Sequence, residues 1–249
     1  MAGNSAQPRV SVTSRVMAVF GAFDEEHRSL TLTALAGRAG LPLPTAHRFV
    51  AELVRHGALV RLPSGVLVVG RRMWELGLLA PVETGLRHVA SPFLNDLYGA
   101  TLETVHLAVR DGASALYVER ISGRSSVPVV SQVGGRLPMH STGVGKVLLA
   151  YAPDEIRVEV LGNLGRHTPY TVTQPGLLAE QLRRVRCDGY ATTREEMTLG
   201  ACSVAVPIQD RRGATVAAVG IVVADLETNQ SRLVAALKVA ARGIGRSLP

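Results

Sequence analysis

Apolar residues in the first quarter of the chain recur at helical spacing, and residues typical of turns separate the helical stretches. The first stretch predicts a helix over residues 11–22. The second predicts a helix that Thr31 caps and Gly40 ends, and the third predicts one over residues 44–56 with Pro44 in its first turn. The side chains expected to face inward are Val12, Val16, Val19, Phe20, Leu32, Leu35, Ala36, Ala39, Phe49, Val50, Leu53 and Val54.

Two short apolar runs follow, at residues 59–62 and 66–69, and Pro63, Ser64 and Gly65 lie between them. This pattern is typical of a β-hairpin. Helices with a short, glycine-containing turn between the second and the third, followed by a hairpin, predict a winged helix-turn-helix.

A further apolar stripe at helical spacing occupies residues 71–80. It consists of Met73, Trp74, Leu76 and Leu79. Such a stripe is expected to be buried. Two partners fit it equally well: the same helix in a second copy of the chain, or the neighbouring predicted helix over residues 85–99.

Strand-like and helical patterns alternate in the rest of the chain. The predicted strands are residues 103–109, 115–121, 127–130, 190–193, 203–208 and 215–224. The predicted helices are residues 144–151, 153–161, 177–187 and 230–246. Short turns such as Asp111-Gly112 and Arg212-Gly213 join neighbouring strands, which favours an antiparallel sheet with helices packed on it and thus the α+β class.

Positive charge is concentrated near the N-terminus. The 27 Lys and Arg residues against 20 Asp and Glu give the chain a net charge of +7. Most of this excess lies in residues 27–72, where arginines accumulate and Glu52 is the single acidic residue. A basic segment of this kind favours a polyanionic partner. All basic residues except Lys146 and Lys238 are arginines, which suits forked contacts to phosphate and guanine, although a biased genome gives the same excess.

The cysteine and apolar content exclude other classes of protein. Cys187 and Cys202 have neither a CxxC spacing nor a nearby pair of histidines, so they predict no zinc site and no disulfide framework, and we expect both in the core. The longest apolar stretch, residues 216–224, is too short to span a bilayer, and residues 1–10 lack a signal pattern. We therefore expect a cytoplasmic protein with no membrane partner.

Four separated segments resemble the IclR-type family of bacterial transcription regulators. The first, LTALAGRAGLPLPTAHRFVAELVRHGAL, has the family's Gly-Leu-Pro, Thr-x-His-Arg and final Gly in the family's order. The others are GGRLPMHSTGVGKVLLA, RCDGYATTREEMTLGACSVAVPIQDRRG and the closing helix. The similarity extends from about Ser11 to Ser247, which is nearly the whole chain.

This resemblance implies a domain organisation and a set of partners. Residues 1–70 would form a winged helix-turn-helix DNA-binding domain, residues 71–84 a linker and dimerisation helix, and residues 85–249 a GAF-like effector-binding domain. The protein would be a homodimer or tetramer that binds a double-stranded DNA operator and a small-molecule effector, and a repressor more often than an activator. The resemblance implies no cofactor.

The resemblance also points to residues that contact DNA. Thr45, His47 and Arg48 lie in the first turns of the third helix, the end that faces base edges in the major groove. Thr45 can bond a phosphate or a base, and Arg48 can bond guanine through two hydrogen bonds. The residues expected to anchor phosphates are Arg15, Thr31 and Arg61.

The chain departs from the family at Leu43 and Pro44, where a Lys or Arg and a Ser are usual. The operator should therefore differ from that of typical members. An alternative follows from the same two residues: a ligand-binding or assembly module that has lost specific operator recognition. Thr45, His47, Arg48 and the basic segment favour the regulator.

The sequence contains only incomplete versions of two enzyme motifs. GVGKV resembles the end of a phosphate-binding P-loop, but that motif needs Gly at position 140 and Ser or Thr at 147, where the chain has His140 and Val147. His140 and Ser141 lack a nucleophile elbow. Lys146 is expected to cap a helix or to pair within the fold, and Glu195 and Glu196 are expected to lie in a solvated turn. The sequence thus predicts no catalytic and no metal-binding residues.

The resemblance suggests where an effector binds. In relatives that bind small carboxylic acids, a loop after the LPMH strand holds the acid through backbone N–H groups, and Gly143 and Val144 occupy its positions here. The facing wall corresponds to Thr193, Ser203, Gly220 and Val222. Relatives specialised for the smallest acids have more polar residues at the last two positions. Gly220 and Val222 are expected to open space, which predicts a larger, partly apolar molecule such as an aromatic or alkyl acid.

Overall fold

A computed structural model describes residues 11–24, 26–77, 79, 84–124 and 126–248. The chain divides into two compact units, Met1–Val82 and Glu83–Pro249. Residues 1–10, and residues 78 and 80–83 of the expected linker, lie outside the described residues.

The first unit is a small helical core with a three-stranded sheet. Its elements, in chain order, are α1 (Val12–Gly21), β1 (Ser29–Leu30), α2 (Leu32–Arg38), α3 (Leu43–Arg55), β2 (Leu59–Arg61), β3 (Leu67–Val69) and α4 (Arg71–Gly77). The antiparallel strands follow the order β1-β3-β2. The predicted helix-turn-helix and hairpin are confirmed. The two-residue strand β1 was not predicted, because so short a strand shows no alternation.

Local signals in the sequence set the helix ends of this unit. The hydroxyl of Thr31 accepts a hydrogen bond from the N–H of Ala34 at 3.2 Å and caps α2. Gly40 follows α2 with φ +63°, a conformation that glycine adopts without strain. Both predicted signals are therefore confirmed.

The core of the first unit contains most of the predicted inward residues. Val19, Leu35, Phe49 and Val50 are buried together with Leu59 and other apolar residues of the sheet. The prediction for Val12 is wrong, because this residue of the first helical turn is 65% exposed. Val12 lies at the start of the short helix α1, beyond the helices and strands that cover the rest of its apolar stripe.

Helix α4 has no buried residue. Trp74 is 62% exposed, Leu76 50% and Leu79 79%. Three residues of the predicted apolar stripe are thus exposed, whereas the fourth, Met73, is half-buried.

The second unit is an α+β domain built on one sheet. Its elements, in chain order, are α5 (Thr84–Thr101), β4 (Thr104–Asp111), β5 (Ser114–Ile121), β6 (Arg136–Pro138), α6 (Gly143–Ala150), α7 (Asp154–Leu161), α8 (Pro175–Asp188), β7 (Ala191–Arg194), β8 (Cys202–Gln209), β9 (Thr215–Val223) and α9 (Gln230–Ser247). The strands follow the order β6-β5-β4-β9-β8-β7, and every pair is antiparallel. The predicted α+β class is confirmed.

Helices cover both faces of this sheet. One face packs its large apolar side chains against α5 and α9. The other carries smaller residues, among them Ala108, Ala205 and Ala218, and faces α6 and α8. Small side chains allow α6 to approach the sheet closely.

Two predictions for this unit are wrong. Residues 127–130 do not form a strand. Pro128 has no N–H for a ladder, and the short strand β6 pairs with β5 instead. Cys187 is exposed although Cys202 is buried, because it lies near the end of α8 on the side away from the sheet-facing residues Leu182 and Val185.

Candidate nucleic-acid interface and ligand pocket

The start of α3 presents polar side chains to solvent. Pro42 precedes the helix, and Pro44 occupies its first turn as predicted. Ala46, Phe49 and Val50 face the core, so His47 and Arg48 on the opposite side are exposed. The Arg48 guanidinium lies 5.7 Å from the centre of the Phe49 ring, which orients its stem along the helix surface.

A groove beside this helix brings together two of the predicted DNA-contacting residues. Arg15 of α1 and Thr45 of α3 line it with the turn between α2 and α3. Thr31 and Arg61 do not line this groove. Thr31 caps α2, and Arg61 donates a hydrogen bond to the carbonyl of Gly65 at 3.0 Å across the hairpin tip.

Ion pairs distinguish the arginines of the first unit. Arg38 pairs with Asp24 and Arg55 with Glu52, each at 2.5 Å. Arg15, Arg48 and Arg61 have no carboxylate partner among the described residues. Their charges are available to an external anion such as a DNA phosphate.

In the second unit, all six residues predicted to bind an effector line one cavity. They are Gly143, Val144, Thr193, Ser203, Gly220 and Val222. None of the described residues that line it is Lys, Arg, Asp or Glu. The cavity is largely apolar, with a few hydroxyl groups, as small-molecule sites commonly are.

Gly143 and Val144 begin helix α6 and do not lie in a loop as expected. The Thr142 hydroxyl accepts from the N–H of Gly145 at 3.2 Å, and the Thr142 carbonyl accepts from the N–H of Lys146 at 2.8 Å. The N–H groups of Gly143 and Val144 have no acceptor within the helix. A helix start with uncapped N–H groups favours a carboxylate.

Register across the sheet sets the opposite wall. Thr193 lies opposite Ser203, and Ser203 lies opposite Val222. The hydroxyls of Thr193 and Ser203 are 2.6 Å apart and share a hydrogen bond. A Cβ atom at position 143 would lie 2.5 Å from the Ser203 hydroxyl, so only glycine allows α6 this close to β8.

The expected open space at Gly220 is wrong. A Cβ atom there would lie 3.0 Å from both Val144 Cγ1 and Ala205 Cβ. The missing side chain allows α6 to pack on the sheet, and Val144 occupies the room. The wall is apolar as predicted, but Val144 contributes to its apolar surface as much as Gly220 does.

The sequence did not point to several other residues of this cavity. His106, Tyr117, Ser131 and Met197 also line it. Burial lowers the pKa of His106 to about 3, with a smaller effect from the nearby Arg120 charge. Burial raises the pKa of Tyr117 to about 12 against the effect of a hydrogen bond with the Thr142 side chain. Both groups are neutral at physiological pH. In the sequence, each is a polar residue within a predicted apolar strand, and this pattern could have pointed to them.

A buried ion pair lies beside the cavity. Lys146 Nζ is 2.6 Å from Glu196 Oε1 and 2.8 Å from Gln181 Oε1. Burial lowers the pKa of Lys146 and raises the pKa of Glu196, and their mutual attraction opposes both shifts. The prediction that Lys146 pairs within the fold is confirmed. The solvated turn expected for Glu196 is wrong, because its side chain is 7% exposed.

Metal-binding clusters and membrane-spanning helices are not found among the described residues. No three His, Cys, Asp or Glu side chains within them are grouped to hold a metal ion. No described helix is long and apolar enough to cross a bilayer.

A helix-turn-helix with arginines that lack a carboxylate partner among the described residues, together with a ligand cavity in the second unit, indicates a DNA-binding transcription regulator with a sensing domain. Family models agree. The IclR helix-turn-helix domain matches residues 12–63, and the C-terminal domain of the bacterial transcriptional regulator IclR matches residues 80–246. The chain belongs to the IclR family, whose members are transcription regulators and not enzymes.

Individual relatives support the same assignment. The chain is 31% identical to the HTH-type transcriptional regulator KdgR of Escherichia coli over 256 residues, which cover 100% of this chain and 97% of that protein. It is 30% identical to the regulator XynR of E. coli over 86% of each chain. An IclR homolog from Microbacterium hydrocarbonoxydans, solved in complex with 4-hydroxybenzoate, shares 36% identity with a TM-score of 0.91 and covers 96% of this chain and 99% of that chain.

Proposed function

We propose that this regulator is a repressor whose operator affinity responds to a partly apolar organic acid bound in the α6 cavity. The observation that carries the proposal is the cavity itself. It combines a helix start suited to one carboxylate with walls that have no charged side chain among the described residues.

The chemistry of the walls favours an aromatic or alkyl acid over the smallest acids. Val144, Leu137 and Met197 supply apolar surface, and the hydroxyls of Thr193 and Ser203 already bond each other. A two-carbon acid has several oxygens that need partners, and each unpaired buried one costs about 1–3 kcal/mol. The relative that binds 4-hydroxybenzoate supports an acid of this size and polarity.

Calorimetric titration of the full-length protein tests the ligand class. We expect 4-hydroxybenzoate to bind and to raise the melting temperature, and pyruvate to do neither. Binding of pyruvate without binding of any larger acid would refute the proposed class. A Val144→Thr variant, which adds a hydroxyl at nearly constant volume, should weaken 4-hydroxybenzoate binding.

The DNA contacts that we propose follow the exposed face of the first unit. Arg48 and His47 face bases, Thr45 a base or phosphate, and Arg15, Thr31 and Arg61 contact phosphates. Arg15, Arg48 and Arg61 have no carboxylate partner among the described residues, which supports this assignment. Leu43 and Pro44 leave α3 intact from its first turn, so this departure changes contacts and not the helix.

We also propose a homodimer, or a tetramer built from dimers, joined through residues 71–84. In this organisation residues 1–70 bind DNA and residues 85–249 bind the effector. The uncovered side chains of Trp74, Leu76 and Leu79 support the role of the linker, because exposed apolar stripes are otherwise unfavourable. A two-fold dimer then implies an approximately palindromic operator.

A further inference from the structure

The cavity wall at β4 and β5 has polar side chains outside the six residues already discussed. His106, Tyr117 and Ser131 line it. His106 lies opposite Gly220 of β9, and residues opposite each other share one face of a sheet. The imidazole therefore belongs to the same sheet face as the wall that α6 covers.

Neighbouring groups fix the imidazole of His106. Its Nε2 lies 2.7 Å from the Ser131 hydroxyl, and its ring meets Tyr117 edge to face with 4.9 Å between the ring centres. Arg120, which lies opposite His106 on β5, donates from Nη1 to the Ser131 carbonyl at 2.8 Å. Ser131 is thus held between Arg120 and His106, and the ring orientation is set by Ser131 and Tyr117.

This corner of the pocket has polar atoms without partners. No hydrogen bond involves His106 Nδ1 within the described part of the chain. Thr104 Oγ1 and Arg120 Nε are buried and also lack a partner there. Thr104 lies opposite Val222, another residue of the cavity. Buried polar groups in native proteins are nearly always paired. Of these three residues His106 lines the cavity, so its Nδ1 nitrogen suits a polar group supplied by a ligand.

We infer that His106 binds a hydroxyl group of the effector while the effector's carboxylate lies at the start of α6. The effector is then a hydroxylated aromatic acid, not an unsubstituted one. This inference rests on the proposed function, which requires only a partly apolar acid. The neutral imidazole has one N–H and one lone pair, and a hydroxyl group can both accept and donate a hydrogen bond.

Matched ligands isolate this contact. The 2-, 3- and 4-hydroxybenzoates are each compared by calorimetry with the methylbenzoate of the same substitution, because methyl and hydroxyl groups are similar in size. The full-length protein should bind one hydroxybenzoate about tenfold more tightly than its methyl analogue, as one hydrogen bond in a buried site allows. In His106→Leu this ratio should fall to about one, with the affinity for the methyl analogue unchanged within about threefold.

Further variants keep the test decisive. His106→Gln retains a neutral donor and acceptor, and should restore part of the preference. Ser131→Ala should reduce the preference without removing it. His88→Leu, at an exposed position of α5, controls for the substitution itself. If His106→Leu fails to fold, as judged by circular dichroism, the Gln and Ala variants decide alone.

Two results would overturn the inference in distinguishable ways. Equal affinity of the full-length protein for every hydroxyl and methyl pair, or an unchanged ratio in the His106 and Ser131 variants, removes the role of His106 and leaves the proposed function standing. Failure of all aromatic acids to bind refutes the proposed ligand class as well.

Discussion

Arg48 and Arg61 present the same guanidinium group in two different settings. Arg48 is exposed at the start of α3, whereas Arg61 is bonded to the hairpin carbonyl of Gly65. We expect Arg48→Ala to lower operator affinity by about 1–3 kcal/mol more than it lowers affinity for a scrambled duplex. Arg61→Ala should weaken both duplexes alike and reduce the salt slope by about 1. Fluorescence anisotropy at several salt concentrations measures both, and equal losses for Arg48→Ala would refute base reading.

The buried pair of Lys146 and Glu196 should control stability. Removing one partner leaves the other charge buried, so Lys146→Met should lower the free energy of unfolding by about 3–5 kcal/mol. The double variant Lys146→Met with Glu196→Leu should recover most of this loss, since apolar residues of similar volume replace buried pairs well. Urea unfolding measures each value.

The second lysine of the chain is a matched control. Lys238 is half-buried and donates to the carbonyl of Asp188 at 2.8 Å, without a buried carboxylate. Lys238→Met should cost about 1 kcal/mol, the net value of one hydrogen bond. A loss as large as that of Lys146→Met, or a double variant no more stable than the single one, would contradict the importance of the buried pair.

His106 should make stability depend on pH. Its pKa is about 3 in the fold against 6.5 for a free histidine, so below pH 6.5 the unfolded chain binds a proton that the folded chain does not. Stability from this residue is complete above pH 6.5 and decreases as pH falls towards 3. Melting temperatures should therefore fall more steeply between pH 6.5 and 5 for the unmodified protein than for His106→Gln. Parallel curves would contradict the buried neutral imidazole.

Among the elements, those with local signals were predictable and those that depend on pairing were not. Thr31 and Gly40 mark the ends of α2 in the sequence itself. The cavity wall at His106 depends on the pairing of β4 with β9, which joins residues far apart in sequence. No local pattern reveals that register, and the close packing of Val144 on Gly220 is hidden for the same reason.

Helix α4 is the element on which the proposed dimer depends. Leu76 is 50% exposed, so an Asp there costs little within one chain but introduces charges at a dimer seam. We expect Leu76→Asp to convert the dimer to monomers in light scattering, with an unchanged circular dichroism spectrum. Val158→Asp, on α7 at 70% exposure, is the control and should remain dimeric. An unmodified protein that is monomeric at micromolar concentration would refute the proposal.

Across the whole molecule, function requires that the two units communicate. The first contains the basic segment of residues 27–72, and the second holds a cavity lined, among its described residues, by uncharged groups. Charge distribution and motif order allowed the division of labour to be predicted from the sequence. From the sequence, the expected backbone N–H groups and apolar walls predicted a partly apolar acid. The hydroxyl-binding role of His106 could not be predicted, because its neighbours come together only when the sheet forms.

The central claim is that an acid bound at α6 changes operator affinity. It is tested most directly by fluorescence anisotropy of the gene's own upstream DNA with the full-length protein, titrated with 4-hydroxybenzoate. Two glycine variants accompany this titration, one that should block the ligand site and one that serves as a control. Gly143→Ala places a Cβ atom 2.5 Å from the Ser203 hydroxyl, whereas a Cβ atom at Gly176 on α8 meets nothing within 4 Å.

We predict that the acid releases DNA from the unmodified protein and from Gly176→Ala. Gly143→Ala should bind the same DNA, should keep the circular dichroism spectrum and melting transition of the unmodified protein, and should not respond to the acid. An operator affinity that stays constant at saturating acid, or a Gly143→Ala protein that responds like the unmodified one, would contradict the account.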